Sequence, residues 1–489
     1  MAETLETYSP AWWLKRLSAK LATRRRVADE YQSFFDGDQP LAFASDKFRE
    51  TFGRRYGRLP ANFMPLVVDA ETERLVVQGF RFGNKPDADK PAWRIWQDNQ
   101  LDAESQIAHE IALVKGVAYA MVAPSKDGPV ITIEDPCETI VETAPGNRRL
   151  RLAALKVWRD DDDYLRAYLF VGGDVYKYRS PKTTRSSEWS SSWESSIRWV
   201  PYVQDGEDFP STNPLGVVPI VPLLNRPRRD GTGRSEVAAV MGNQLAINQL
   251  RFNSLVAAEY VAFPQRWVTN IDIPIDPDTG QPVAPFKPGV DMLWALRRPT
   301  PSEAMEYGDR VPTPALGQFP AGDLGPYIEA IREEVGEMAS ISRTPYHYLL
   351  GEPTSVPPSG ESLKSSEAPL VKKVGREAVH LGEGWEETMR LALTVAGQGS
   401  KARSDAETIW ADPETRNEAA RSDALMKQHQ ELGLPLVFTL EELGYSQQQI
   451  DRVLAMKAAE DAAAEPVAPP VDASATITAE SGDLAGSTQ

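Results

Sequence analysis

Between Glu236 and Glu259 the only charge is Arg251, in an otherwise charge-rich sequence. The apolar positions Val237, Met241, Ile247, Leu250, Phe252, Leu255 and Val256 point in nearly every direction around a helical axis, whereas a surface helix shows one apolar stripe and a charged back. The pattern predicts a helix over residues 234–262 with no obvious water face. At 1.5 Å per residue it spans roughly 40 Å, too long for the middle of one small domain. The expected walls are sister copies in a ring, with Val237, Met241, Ile247, Leu250, Phe252 and Leu255 packing between subunits.

Ahead of that helix, Ser9 and Pro10 form a cap and first-turn pair. Trp12, Trp13, Leu17, Leu21 and Val27 then follow at the spacing of an amphipathic helix ending near Asp36-Gly37. Further helices are expected at 46–56, 64–74 and 92–115. From Val117 the period becomes two, predicting a meander of strands at 117–122, 130–133, 139–141, 154–158, 164–171 and 175–178. Residues 180–196, with the string SSEWSSSWESS, are a low-complexity loop.

Behind it, Phe263-Pro264 ends the helix, and residues 265–320 are punctuated by proline, with short strands expected at 266–269 and 292–295. Asp323 reads as an N-cap, with Pro326 in the first turn. Ile328, Ile331, Val335 and Met338 form an apolar stripe, and Glu329, Glu333 and Glu337 recur every four residues on the other side. Residues 344–360 form a loop rich in proline and aromatic residues. Residues 361–395 form a long helix that Pro369 should kink. A strand at 409–411 precedes a helical module with capping boxes at Thr439/Glu442 and Ser446/Gln449. Beyond Lys457 there is no basic residue, and that tail is expected to be disordered.

The chain has 489 residues, a formal charge of −17 and one cysteine, Cys137. The length predicts two to four domains, and the single cysteine excludes an intrachain disulfide framework and fits a reducing cytoplasm. No apolar run approaches a membrane span, and the acidic N-terminus does not suit an export signal. The acidity argues against coating nucleic acid through counterion release, yet suits a conduit wall along which DNA must slide.

Motifs for chemistry are missing. The string GFRFGNKP at 79–86 has the wrong spacing for a phosphate-binding loop and reads as a turn. His109, His347, His380 and His429 include no pair at metal-ligand spacing, and there is no GxSxG elbow. Asp160 to Asp163 alternate faces on an extended chain and read as a solvated hairpin tip. No catalytic residue, metal or cofactor is expected. Lys364, Lys372, Lys373 and Arg376 are either surface charge or contacts to DNA. Tyr346, His347 and Tyr348 either touch DNA or pack under their own loop.

In order along the chain, these segments resemble the tailed-bacteriophage portal, or head-to-tail connector, family. The likeness is carried by VVPIVPLLNRPRRDGTGRSEV with the helix running on to AFPQRWVT, by ISRTPYHYLLGEPTSVPPSGESLKSSEAPLVKKV leading to Trp385, and by IWADP with its helix pair. The resemblance implies an α+β ring subunit, not an enzyme. Residues 1–230 would be the wing, 231–263 the first stem helix, 264–320 a small β-containing clip and 321–343 the second stem helix. Residues 344–360 would be a tunnel loop, 361–400 a kinked pore helix, 401–412 a wing return strand, 413–460 a helical crown and 461–489 an acidic tail outside the family pattern.

It further implies a ring, usually of twelve copies, at one capsid vertex of the virion, assembled in the host cytoplasm. Double-stranded DNA would pass through it during packaging and ejection. The expected partners are the terminase large subunit, head-completion adaptors, and the major capsid and scaffolding proteins, with no membrane. Glu329, Glu333, Glu337, Tyr346, His347, Tyr348, Lys364, Lys372 and Lys373 are the expected channel-lining residues. The competing readings are a nuclease-like packaging enzyme, which would need clustered carboxylates or histidines on facing elements, and a tail or adhesion module.

Overall fold

The computed structural model describes residues 6–39, 61–83, 88–181, 197–203, 208–262, 266–269, 278–281, 315–318, 322–351, 360–401, 405–414, 425–427, 429–431, 433–445 and 447–464. The expected helix at 46–56, the strand at 292–295, most of the low-complexity loop and of 264–320, and the acidic tail beyond Ala464 lie outside these residues, whereas residues 458–464, expected to be disordered, continue the last described helix of the chain.

The described elements begin with α1 (Pro10–Phe35), α2 (Met64–Thr72), β1 (Val77–Phe82), α3 (Lys90–Asp98) and α4 (Leu101–Lys115). A run of strands follows: β2 (Val117–Ser125), β3 (Gly128–Glu134), β4 (Thr139–Ala144), β5 (Asn147–Arg159), β6 (Leu165–Val171), β7 (Asp174–Arg179), β8 (Val200–Pro201), β9 (Ser211–Thr212) and β10 (Ile220–Leu224). Then come α5 (Glu236–Ala262), β11 (Arg266–Thr269), β12 (Ala315–Gln318), α6 (Gly325–Ser342), α7 (Tyr346–Leu349), α8 (Gly360–Val395), β13 (Ala406–Trp410), α9 (Leu436–Glu442) and α10 (Gln447–Ala464). The result is a mixed helix and sheet chain.

Helix α1 starts where its sequence predicts. Ser9 Oγ accepts the Trp12 N–H at 3.2 Å, and Pro10 fills the first turn. Its buried stripe, including Trp13, Leu17 and Leu21, packs on Ile140, Leu155, Ala167 and Leu169 of the large sheet. That sheet runs β4-β5-β6-β7-β8, with β9 also paired to β7. The expected single meander is in fact split, because β2 and β3 join β10 in a separate sheet of order β10-β2-β3. Asp135 makes the switch between them. Its carboxylate accepts the Cys137 N–H at 2.7 Å and Lys115 Nζ at 2.5 Å, and its carbonyl accepts the N–H of Glu138 and of Thr139.

Four other local expectations are corrected. The helix predicted over 92–115 is two helices, broken where Gln100 adopts a positive φ of 55°. Asn99 holds the break open to β3, accepting the Ile131 N–H at 2.8 Å and donating to the Pro129 carbonyl at 3.1 Å. Residues 79–82 of the supposed turn belong to β1, which pairs antiparallel with β13. Helix α9 begins at Leu436 with Pro435 in the cap position, so Thr439 lies inside it and donates to the Pro435 carbonyl instead of capping. Likewise α6 is capped at Leu324, with Asp323 Oδ1 accepting the Gly325 N–H at 2.8 Å. Solvated turn geometry does hold at Asp160, whose carboxylate accepts the N–H of Asp162 and of Tyr164.

The main core gathers α2, α4, the first half of α5, the second half of α6 and α8 against β1, β2 and β10. Two glycines permit this packing. A Cβ on Gly233 would lie 1.6 Å from the Gly116 carbonyl oxygen, so the loop ahead of α5 fits beneath the end of α4 only as glycine. A Cβ on Gly384 would lie 2.5 Å from Leu223, which lets α8 rest directly on β10.

Candidate functional site

Helices α5 and α6 form an antiparallel pair. Asn243 Nδ2 on α5 donates to Glu334 at 3.1 Å and to Glu337 at 3.2 Å on α6. A Cβ on Gly322, just ahead of α6, would meet Val261 near the end of α5. The first turn of α5 therefore lies beside the last turn of α6.

Helix α5 does have an inward stripe. Val237, Val240, Gln244, Ile247 and Phe252 are buried within the protomer, and Gln244 bonds the backbone of Ala61 and Phe63. Three of the residues expected between subunits, Val237, Ile247 and Phe252, thus pack into their own chain. Met241, Leu250 and Leu255 are half-covered, and Ala239 and Gly242 are exposed. The sequence misleads here because the buried stripe includes Gln244 and Asn248, so its apolar period is blurred.

Glu329, Glu333 and Glu337 are exposed along α6, as are Lys364, Lys372 and Arg376 on α8 and Tyr346 on α7. His347 is half-buried, its ring edge-on to Tyr348 at 4.7 Å. Tyr348 packs under its own segment. Its hydroxyl donates to Glu367 at 2.9 Å and accepts from Arg74 at 2.8 Å, and Arg74 itself pairs with Glu367 at 3.7 Å.

Lys373 is the clear correction among the expected lining residues, being only 3% exposed. Adjacent helical residues are rotated by about 100°, so Lys372 and Lys373 cannot share a face. Lys373 keeps the register of Leu370, Val374 and Leu381, all buried. Its ammonium donates to Glu71 of α2, to Glu236 Oε2 of α5 at 2.7 Å, and to the Ser342 carbonyl at the end of α6 at 2.8 Å. Glu377, one turn further along α8, is fully buried beside them, with Arg226 Nε at 3.5 Å. Sequence reading misses Glu71, Arg226, Glu236 and Glu377. A signal existed, since Lys373 and Glu377 occupy the apolar stripe of α8.

The loop before α5 builds this cluster. Asn225 accepts the Arg234 N–H through its carbonyl at 2.8 Å and donates its side-chain amide to the Arg234 carbonyl at 2.8 Å and to Glu236 at 2.7 Å. Residues 225–234 are thereby closed into a loop that aims the Arg226 guanidinium at Glu236 and Glu377. Glu236 also sits in the first turn of α5, where the helix dipole favours negative charge.

Among the described residues, the carboxylates of Glu71, Glu236 and Glu377 come within 4.8 Å of one another. Such a trio is a cation site in form, and the Lys373 ammonium already takes the cation's place. Burial drives the Glu71 carboxyl up to about 7, helped by the charge of Glu236 and opposed by Lys373. Burial pushes Glu377 up as well, with Glu71 and Glu236 reinforcing it. Burial acts on Glu236 too, but Lys373 and Arg226 outweigh it and hold that group below its ordinary value. Lys373 stays charged, because the three glutamates overcome the effect of its burial.

A sequence model described as "Phage portal protein, SPP1 Gp6-like" matches residues 50–463. That match spans most of the chain. The protein belongs to the phage portal protein family. The portal protein of Mycobacterium phage D29 is 30% identical over 370 residues, covering 74% of this chain and 71% of the relative. The portal protein of Mycobacterium phage L5 is 28% identical over 379 residues, with the same coverage. Among solved structures, a chain from the neck of an empty gene transfer agent particle aligns over 80% of this chain and 92% of its own, at 12% identity and a TM-score of 0.43. In this family member, no helix among the described residues is long and apolar enough to cross a membrane.

Proposed function

We infer that this chain assembles into a closed ring of about twelve copies at one capsid vertex, and that double-stranded DNA passes through its bore during packaging and ejection. In this reading 1–230 is the wing, α5 and α6 are the stem, 264–320 is the clip, 344–360 is the loop that narrows the bore, 361–400 is the pore helix and 413–460 is the crown. The clip docks the terminase large subunit during filling and head-completion adaptors afterwards, while the wing meets capsid and scaffolding proteins. The observation that carries the reading is the α5/α6 pair. It is tied to the core along one stripe, yet it leaves Met241, Leu250 and Leu255 half-covered and Ile328 51% exposed, beside an outward row of glutamates. Apolar positions left open on a helix pair in an acidic chain call for a protein neighbour, and sister copies supply one.

Repeated around a ring, Glu329, Glu333 and Glu337 stack acidic belts that repel phosphate and keep DNA sliding. Negative-stain imaging of the purified protein is expected to show rings with a central hole. A homogeneous monomer at micromolar concentration would refute the reading. The triple variant Glu329→Lys, Glu333→Lys, Glu337→Lys is expected to form rings and to slow packaging by tenfold or more, on the order of the salt-dependent grip of several new phosphate contacts. Unaltered packaging would remove these glutamates from the bore and leave the ring standing.

A further inference from the structure

We propose that Lys373 is a positioning residue which, with a single proton shared by Glu71 and Glu377, latches segment 342–350 between α2 and α8. The segment is clasped by two polar rungs of opposite sense. On the inner rung the acid, Glu71, lies on α2 and the base, Lys373, on α8, and Lys373 also grips the Ser342 carbonyl at 2.8 Å. On the outer rung the base, Arg74, follows α2 and the acid, Glu367, lies on α8, with the Tyr348 hydroxyl bonded to both. Ser342 Oγ joins Thr344 Oγ1 at 2.9 Å, continuing the grip into the segment. Opposed polarity fixes the register, because sliding either helix would set like charges against each other.

The inner rung is one cation short. The groups facing it are Glu71 from α2, Arg226 and Asn225 from the preceding loop, Glu236 from α5, the Ser342 carbonyl from α6, and Lys373 and Glu377 from α8. Three carboxylates thus meet two cations. All three N–H donors of the ammonium are spent, on Glu71, Glu236 and Ser342. Both Glu377 oxygens and Glu71 Oε2 are buried without a hydrogen-bond partner. One proton placed between Glu71 and Glu377 balances the charge and supplies the missing O–H donor. The upward push that burial gives both carboxyls agrees with this placement. When the proton leaves, Glu377 becomes a buried anion competing for the ammonium hydrogen now given to Ser342, and the inner rung releases while the outer one persists. What the release does to the bore rests on the ring reading; the latch itself does not.

Backbone hydrogen exchange of residues 344–350 in the full-length protein between pH 6 and 9, corrected for intrinsic exchange, tests the latch. The Tyr348 and Leu350 amides, which donate to Pro345 and Tyr346, are expected to lose protection by up to about tenfold per pH unit above 7, the slope of one released proton. Amides of α1 should not follow. Glu377→Gln, whose side-chain amide mimics the protonated acid, is expected to abolish the slope and keep the protection. Tyr348→Phe should lower protection at every pH and keep the slope. Lys373→Met should leave the segment unprotected throughout, and if it fails to fold, the Glu377→Gln result decides. A flat wild-type profile, or a Glu377→Gln slope equal to wild type, overturns the latch. Imaging the same samples shows separately whether rings are present.

Discussion

Lys373 and Trp385 lie on the same helix about 18 Å apart, both buried, in neighbourhoods of opposite character. Around Trp385 the polar groups are neutral. Its indole N–H donates to His109 Nε2 at 2.9 Å, Trp96 meets it edge-on at 5.0 Å, and Trp410 flanks His109 at 5.5 Å. Burial drives His109 down to about 3, so its ring stays neutral and accepts that bond. Around Lys373 the groups are ionic and their charges do not cancel. The comparison teaches that one helix can anchor one part of the core by shape and another by charge. Only the charged junction can respond to a change in the number of bound protons near neutrality.

Three experiments would sharpen or erase the contrast. Lys373→Met should have the largest effect, about 3–5 kcal/mol of unfolding free energy in a denaturant titration, since it leaves three buried carboxylates facing Arg226 as their one cation. A loss below about 1 kcal/mol would mean that water already reaches the junction and that the two ends of the helix do not differ. Trp385→Phe should cost about 2 kcal/mol, combining an unpaired His109 nitrogen with a small cavity. An unchanged midpoint would show that the bond to His109 contributes nothing.

The smallest and most diagnostic effect is the sign of the pH response, at up to about 1.4 kcal/mol per pH unit per proton. His109 is depressed on folding, so its stability contribution is present above about 6.5 and is lost as pH falls toward about 3. Glu71 is raised, so its contribution is present below about 4.5 and is lost as pH rises through about 7. Denaturation midpoints for His109→Gln should therefore lose only the acid limb. If that variant also flattened the alkaline limb, the two regions would be one titrating unit.

How much of this was legible depended on whether a residue's role was local. Ser9 with Pro10, the strand periods of β5 to β7, and the long runs that became α5, α6 and α8 announced themselves through caps and spacing. The glutamates of α6 were legible as an outward row for the same reason. The break at Asn99–Gln100 was not, because Asn99 spends its side chain on β3, a partner distant in sequence. Nor was β1, whose GFRF reads as a turn until β13 pairs with it. Lys373 looked like its exposed neighbours Lys364 and Lys372, although its place in line with Leu370 and Val374 already marked it as inward.

Local propensity and periodicity determined most of the elements and the acidic character of the return helix, since these follow from neighbours a few residues apart, and the family was legible as a resemblance of longer strings. Tertiary structure alone decided which charges were buried. Glu71, the pair Arg226 and Glu236, and the pair Lys373 and Glu377 come from three stretches widely separated along the chain, and whether a lysine costs or contributes stability depends on the partners that folding brings to it.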